Sequence, residues 1–407
     1  MKRITAVMSI FSLLILSPMS AAPAQAEMEP LYTLAARIGL KMGAPLSYHQ
    51  LLDTKYLSLV KSHFNSVTAT NEMKAYSLLD EWASRRSADG MPVMNYKKAD
   101  DMVAWARKNG IGVRGHVLVW DAYMLDWFFH EGYDVSKPYA SRDTVRARTE
   151  SYITQVVTHF EKKFPGTVYC WDVVNEAVGD QASEYKPTDP RHLRTKRSGK
   201  DNLFQKYMGN DYVERSFLYA RNAVEALNAD IRLYYNDYNA FFPDKATAIR
   251  ILARNINSFS KDADGNPRKL LDGIGMQGYI GGYGTQDGCL QESHLDMIKK
   301  AIQSYESLGL EVQITEMAVR NYDPAQKDRH AAYYGKLFEM LSVLAKDGSS
   351  PLKAVSIWGL TDCPNEPKNS YVYKMNSPYG GLVDEKLEYK DAFFQVYQVL
   401  KQHAEEQ

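Results

Sequence analysis

The chain has 407 residues, with 49 Lys and Arg balanced by 49 Asp and Glu, so its formal net charge is zero. That balance gives no electrostatic reason to expect nucleic acid or an anionic membrane as a partner. Three cysteines are too few for a disulfide framework, and no CxxC or HExxH pattern points to structural zinc or a metalloprotease, so no metal or cofactor is expected. The 28 Tyr and 6 Trp suggest a surface suited to flat, weakly polar groups such as sugar rings.

Lys2 and Arg3, the apolar run Ile4 to Leu16, and Ala24-Gln25-Ala26 together read as a secretory signal peptide cut after Ala26. The apolar run is too short, and too soon followed by Pro18, for a membrane span; no later stretch reaches that length. The expectation is therefore a leader over 1–26 and one soluble domain over 27–407. That domain would be secreted or periplasmic, not inserted in a membrane, and monomeric.

From there the pattern strand, loop, helix repeats. Strands are predicted at Arg37 to Gly43, Phe64 to Thr68 and Ile111 to Val117. A helix with apolar positions Leu78, Leu79 and Trp82 is predicted after the second, and another over Ala99 to Lys108. Thr144 to Phe164 carries Tyr152, Ile153, Val156, Val157 and Phe160 at helical spacing. It leads into an apolar, β-branched strand from Val168. A polar insertion, Gly179 to Asn210, contains the basic run RHLRTKRSGK and reads as a solvated loop. Further strands are predicted at Ile231 to Asn236, Gly273 to Gly278, Glu311 to Thr315 and Lys353 to Trp358. Helices fit at Tyr212 to Ala226, Lys245 to Ser258, Leu295 to Leu308, Arg329 to Lys346 and Tyr389 to His403. Eight βα units without a linker favour a single (β/α)8 barrel with enlarged loops at the C-terminal face of the strands. Cys170 reads as a free core thiol, whereas Cys289 and Cys363 lie in loops that leave pairing open.

Two strands end alike. Val168 to Val178 (VYCWDVVNEAV) is apolar until Asn175-Glu176, and Leu310 to Val319 (LEVQITEMAV) repeats the design at Thr315-Glu316. A carboxylate at the end of a buried strand needs a partner, a network or a function, because desolvation opposes its charge. On one barrel the two glutamates share an edge, and paired carboxylates are what glycoside hydrolysis requires.

The motifs resemble those of family 10 of the glycoside hydrolases, the retaining endo-β-1,4-xylanases. Asn71-Glu72-Met73-Lys74 is similar to the family's NEMK, Gly115-His116 and Trp120 to its GH-x-x-x-W, and Trp171 to Glu176 to its WDVVNE. Asn236-Asp237-Tyr238-Asn239 is similar to NDYN, Gly275-Met276-Gln277 to G-x-Q, Thr315-Glu316 to TE, and Trp358-Gly359 to the final WG. The resemblance implies Glu176 as acid/base, Glu316 as nucleophile, and Asn175 as a hydrogen-bond partner of the sugar 2-hydroxyl. It implies sugar contacts from Asn71, Lys74, His116 and Gln277, and apolar walls from Trp120 and Trp358. The implied partner is xylan or a xylo-oligosaccharide.

Departures from the family pattern accompany the match. Thr70 replaces a Glu before NEMK, the second tryptophan after WG is missing from Asp362 to Pro367, and a Ser-Pro-Trp-Tyr-like stretch is absent from 180–212. Tyr279 stands where the family has a His bonded to the nucleophile, and Ala318 where it has the Asp that holds that His. A phenol needs no such support, so Tyr279 is expected to donate to Glu316 itself. Competing readings are the same machinery on other β-1,4-glycans or short xylo-oligosaccharides, and a non-catalytic carbohydrate-binding barrel. The last has no need of two mutually repelling carboxylates.

Overall fold

The computed structural model describes residues 28–282, 290–346 and 350–406. The expected leader and Cys289 lie outside the described residues. Eight strands, β1 (Lys41–Leu46), β2 (Ser66–Ala69), β3 (Gly112–Gly115), β4 (Val168–Asn175), β5 (Arg232–Asp237), β6 (Gly273–Met276), β7 (Glu311–Val319) and β8 (Leu352–Ile357), each pair in parallel with the next. β8 also pairs with β1, which closes the sheet. Every strand is followed by a long helix, at Thr54–His63, Lys97–Lys108, Arg142–Lys163, Tyr212–Ala226, Pro243–Ser258, Glu292–Glu306, Lys327–Lys346 and Asp391–Glu405. This is a (β/α)8 barrel. No helix among the described residues is long and apolar enough to cross a membrane.

Because helices cover the outside and side chains fill the inside, the strands are buried along nearly their whole length. The helix Arg142–Lys163 shows how the outer layer attaches. Ser141 caps it by accepting from the Thr144 N–H, and Val145, Tyr152, Ile153, Val156, Val157 and Phe160 form its buried stripe. Each such side chain contributes roughly 1.5–3 kcal/mol when fully buried.

The barrel interior is unexpectedly polar. Arg114 on β3 is buried and donates to Asp172 on β4 and, at 2.7 Å, to Gln313 Oε1 on β7, with its guanidinium 4.9 Å from the Tyr234 ring centre. A buried charge persists only when so partnered. Cys170 beside it is a free thiol, which burial pushes up to about 12.

Two predicted elements are corrected and one is added. The first strand starts at Lys41 rather than Arg37, because Leu31–Arg37 is a helix that buries Leu31, Leu34 and Ala35 and is followed by Gly39 at φ 80°. The helix predicted around Leu78, Leu79 and Trp82 is two single turns, Ala75–Leu78 and Glu81–Ser84. The chain is extended at Leu79 and Asp80, and Asp80 starts a new turn by accepting from the Ala83 N–H. Trp82 therefore points outward, 72% exposed, under Arg86. Helix Thr54–His63, absent from the sequence reading, is capped by Asp53 through the N–H groups of Lys55 and Tyr56.

Candidate active site

Glu176 and Glu316 reach the same end of the barrel by different routes. β4 ends at Asn175, and Glu176 turns the backbone into the left-handed region at φ 55°, where its N–H donates to the Asn236 carbonyl at 2.8 Å. A non-glycine residue in that region signals a conformation imposed by its surroundings. Glu316 instead sits inside β7, which runs on to Val319, at a slip in register against β8 between Ile314 and Met317. Irregularities of this kind re-aim side chains at sheet rims.

One hydrogen-bonded chain of side chains joins the two carboxyls. Asn236 Nδ2 donates to Glu316 Oε1 at 3.1 Å and to Asn175 Oδ1 at 2.9 Å, while Gln277 Nε2 donates to Asn175 Oδ1 at 3.3 Å and to Glu176 Oε1 at 3.1 Å. Thr315 donates to Asn236 Oδ1 at 2.7 Å, which fixes the amide's orientation. Gly275 must be glycine, since a Cβ there would lie 2.3 Å from Asn236 Oδ1. With its oxygen taken, Asn175 keeps a buried Nδ2 without a partner, a donor aimed at no protein group. Buried donors of that kind call for a ligand or water.

The Tyr279 hydroxyl donates to Glu316 Oε2 at 2.7 Å, and Tyr279 pairs in register with Ala318 on β7. Tyr371, from a helix after β8, lies near enough to act on Tyr279 electrostatically. Burial raises the Glu316 carboxyl above the usual glutamate range. The charge of His116 and the hydrogen bonds from Tyr279 and Asn236 oppose that rise, and Glu176 adds to it.

The other expected residues gather on the side of β2 and β3. His116 Nδ1 lies 2.9 Å from Asp172 Oδ2, and Lys74 Nζ donates to Asn71 Oδ1 at 3.1 Å. Lys74 is buried, which lowers it, while Glu316, Glu176 and Glu72 work to keep it charged. Its ammonium lies 5.2 Å from the Trp120 ring centre and 4.6 Å from that of Tyr123. Trp120, Tyr123 and Tyr76 follow one another with ring centres 4.5 and 5.5 Å apart, and both tyrosines are exposed. The three rings form one continuous aromatic wall. Half-buried Trp358 is placed beside the Glu316 strand by its N–H bond to the Met317 carbonyl.

The basic run is not a solvated loop. Arg194 is 0% exposed and ties the insertion to the barrel by donating to the carbonyls of Glu176 and Val178 and to the Tyr238 hydroxyl. Lys196–Arg197 and Lys200–Asp201 form a two-residue hairpin across Ser198 and Gly199, both at positive φ as a type I′ turn requires. It delivers Arg197 to the site. That guanidinium holds Asp121 through two bonds of 2.9 and 2.8 Å, Glu176 Oε2 at 2.9 Å and the Glu176 carbonyl at 3.0 Å. The Ser-Gly pair between basic residues was the available signal for a tight hairpin. Nothing local indicated where it would dock.

A closed βα barrel presenting two linked glutamates at one strand-end rim, beside an aromatic wall, defines the class: a glycoside hydrolase site. Residues 31–399 match the profile of Glycosyl hydrolase family 10, and the chain belongs to that family. A relative from Caldicellulosiruptor saccharolyticus is 35% identical over 301 residues, covering 71% of this chain and 86% of that protein. Endo-1,4-beta-xylanase B of Butyrivibrio fibrisolvens is 29% identical over 365 residues, 88% of this chain; the chain spans 51% of that protein. The solved structure of the N-terminal modules of endo-1,4-beta-D-xylanase 10B of Clostridium thermocellum with xylohexaose superposes at TM-score 0.76 and 27% identity. It covers 91% of this chain and 68% of that one.

Proposed function

We propose that the chain is an exported endo-β-1,4-xylanase that cleaves internal xylosidic bonds with retention. The observation that carries this is the pair Glu176 and Glu316, tied through Gln277, Asn175 and Asn236. In the first step a Glu316 oxygen attacks the anomeric carbon, the glycosidic C–O bond breaks, and the Glu176 proton passes to the leaving oxygen. In the second, Glu176 takes a proton from water, the water oxygen attacks the same carbon, and the bond to Glu316 breaks. The free Asn175 Nδ2 would meet the 2-hydroxyl of the sugar under attack, a contact that gains strength as positive charge develops on the ring. Lys74, Asn71, His116 and Gln277 would bind the sugars on the non-reducing side, with Trp120 and Trp358 against their faces. Tyr279 would steady the nucleophile. The names of similar proteins favour xylan as substrate.

Product analysis on xylan, carboxymethylcellulose and xylohexaose, with the anomer of the first product followed by NMR, tests the reading. Internal cleavage of xylan with a β-configured product is expected. An α-configured product would overturn the retaining mechanism, and turnover of the cellulose derivative alone would overturn the substrate. A second reading, action on short xylo-oligosaccharides or another β-1,4-glycan, is favoured by one observation: the segment 362–367 after β8 lacks the family's second tryptophan, and the exposed aromatic that follows it is Tyr371, on the next helix. Export rests on the pattern of residues 1–26. N-terminal sequencing of protein recovered outside the cytoplasm should begin at Glu27, and a chain beginning at Met1 would refute cleavage.

A further inference from the structure

An arginine bonded to the group that must act as acid works against the first chemical step and in favour of the second. Glu176 accepts Arg197 on Oε2 and Gln277 on Oε1, so both carboxyl oxygens face donors, the arrangement of a carboxylate. Arg197 is neither a long surface side chain nor free to wander. Its side chain is 22% exposed, Asp121 grips it bidentately, and the strand-turn-strand behind it is anchored by buried Arg194 and by Asn202, which donates to the Arg194 carbonyl at 3.0 Å. Burial opposes its charge, but Asp121 and Glu176 more than offset this, and it stays protonated.

Resting on the reading of Glu176 as acid/base, we infer that Arg197, steadied by Asp121, is a positioning residue that holds Glu176 in its carboxylate form. It thereby assists the base step and confines the acid step to lower pH. The remaining charged or titratable groups that face Glu176 are few. Glu316 on β7, and Asp237 at the end of β5, favour its protonated form; burial pushes Asp237 itself up to about 6, with Lys245 opposing and Glu176 contributing. Lys74 after β2 favours the carboxylate, and Tyr371 after β8 is a neutral phenol over the working pH range. Gln277 is a neutral donor from the end of β6. Arg194 is a further cation but meets only the Glu176 backbone carbonyl. Among the described residues Arg197 is the cation bonded to the carboxyl itself, and so the one whose removal should move Glu176 furthest.

The test uses the whole chain and the variants Arg197→Met, Arg197→Lys and Asp121→Asn. An aryl β-xylobioside with a good leaving group needs no acid, so its kcat reports the base step; xylohexaose needs the acid. Arg197→Met should lower kcat on the aryl substrate about tenfold. It should also move the alkaline limb of kcat/KM on xylohexaose upward by about one pH unit, because Glu176 then keeps its proton to higher pH. Arg197→Lys should recover most of both effects, and Asp121→Asn should shift the same limb upward by less. An alkaline limb that stays in place in both Arg197→Met and Asp121→Asn overturns the inference, and if the Met variant does not fold, Asp121→Asn alone decides it. A wild-type chain inert toward xylohexaose at every pH would instead overturn the reading of the site.

Discussion

The strand ends at Glu176 and Glu316 look alike in sequence and differ in what holds them. Glu316 lies within a continuing strand and receives neutral donors, Asn236 from β5 and Tyr279 from just beyond β6. Glu176 lies one residue past its strand in a left-handed conformation, and its strongest partner is a cation carried in on an excursion between β4 and the next helix. The barrel frame thus holds one carboxylate, and a loop brings the cation that holds the other. That difference suits the proposed double displacement, in which the nucleophile would keep one role while the acid/base alternates between two.

The largest effect that separates the two should come from deleting each carboxylate. Glu316→Ala should reduce turnover on every substrate by roughly 10⁵- to 10⁶-fold, the scale expected when a covalent nucleophile is removed. Added azide should restore part of it as a glycosyl azide of inverted configuration. Glu176→Ala should spare the first step on substrates with good leaving groups, which need little protonation. Xylan turnover at the wild-type rate by either variant would end the assignment of these roles.

A smaller effect sharpens the contrast between neutral and charged partners. Tyr279→Phe removes a hydrogen bond to an ionised group, worth roughly 1.5–3 kcal/mol, so kcat should fall by about one to two orders of magnitude. The Tyr279 bond favours the charged form of Glu316, and burial already raises that carboxyl. Its loss should therefore raise the carboxyl further and move the acid limb of the pH profile to higher pH. Full activity with an unmoved acid limb in Tyr279→Phe would show that the bond has no bearing on turnover.

What the sequence disclosed follows from how local each signal was. The barrel was legible because the strands are short, apolar and bounded, and because in two of them the apolar run gives way to a glutamate, although in the fold Glu316 lies within its strand rather than at its end. Tyr279 was legible as one half of a paired departure, with Ala318 its register partner across the two strands. Arg197 was not, since a basic run in a polar insertion has the composition of a solvated loop. Only the fold sets Asp121 and Glu176 on either side of it. The polar barrel interior was equally hidden: Arg114 lies within a predicted strand, and its partners Asp172 and Gln313 come from strands far along the chain. Trp82 misled in the opposite sense, because an apolar residue at helical spacing was counted toward a helix that Asp80 interrupts.

The smallest expected effect concerns Tyr371, one step further from Glu316. Tyr279 gives its single hydroxyl proton to Glu316, and Tyr371 lies near enough to act on Tyr279 electrostatically. The Tyr371 residue is 62% exposed, so water can replace its hydroxyl at little cost. Tyr371→Phe should therefore lower kcat by about two- to tenfold at most, with KM unchanged. Tyr371→Ala also removes the aromatic face at the rim after β8. If that face contacts a sugar, KM should rise in Tyr371→Ala and not in Tyr371→Phe. Equal kcat and KM in all three proteins would show that the Tyr371 hydroxyl has no bearing on turnover and that its ring does not take the place of the missing tryptophan.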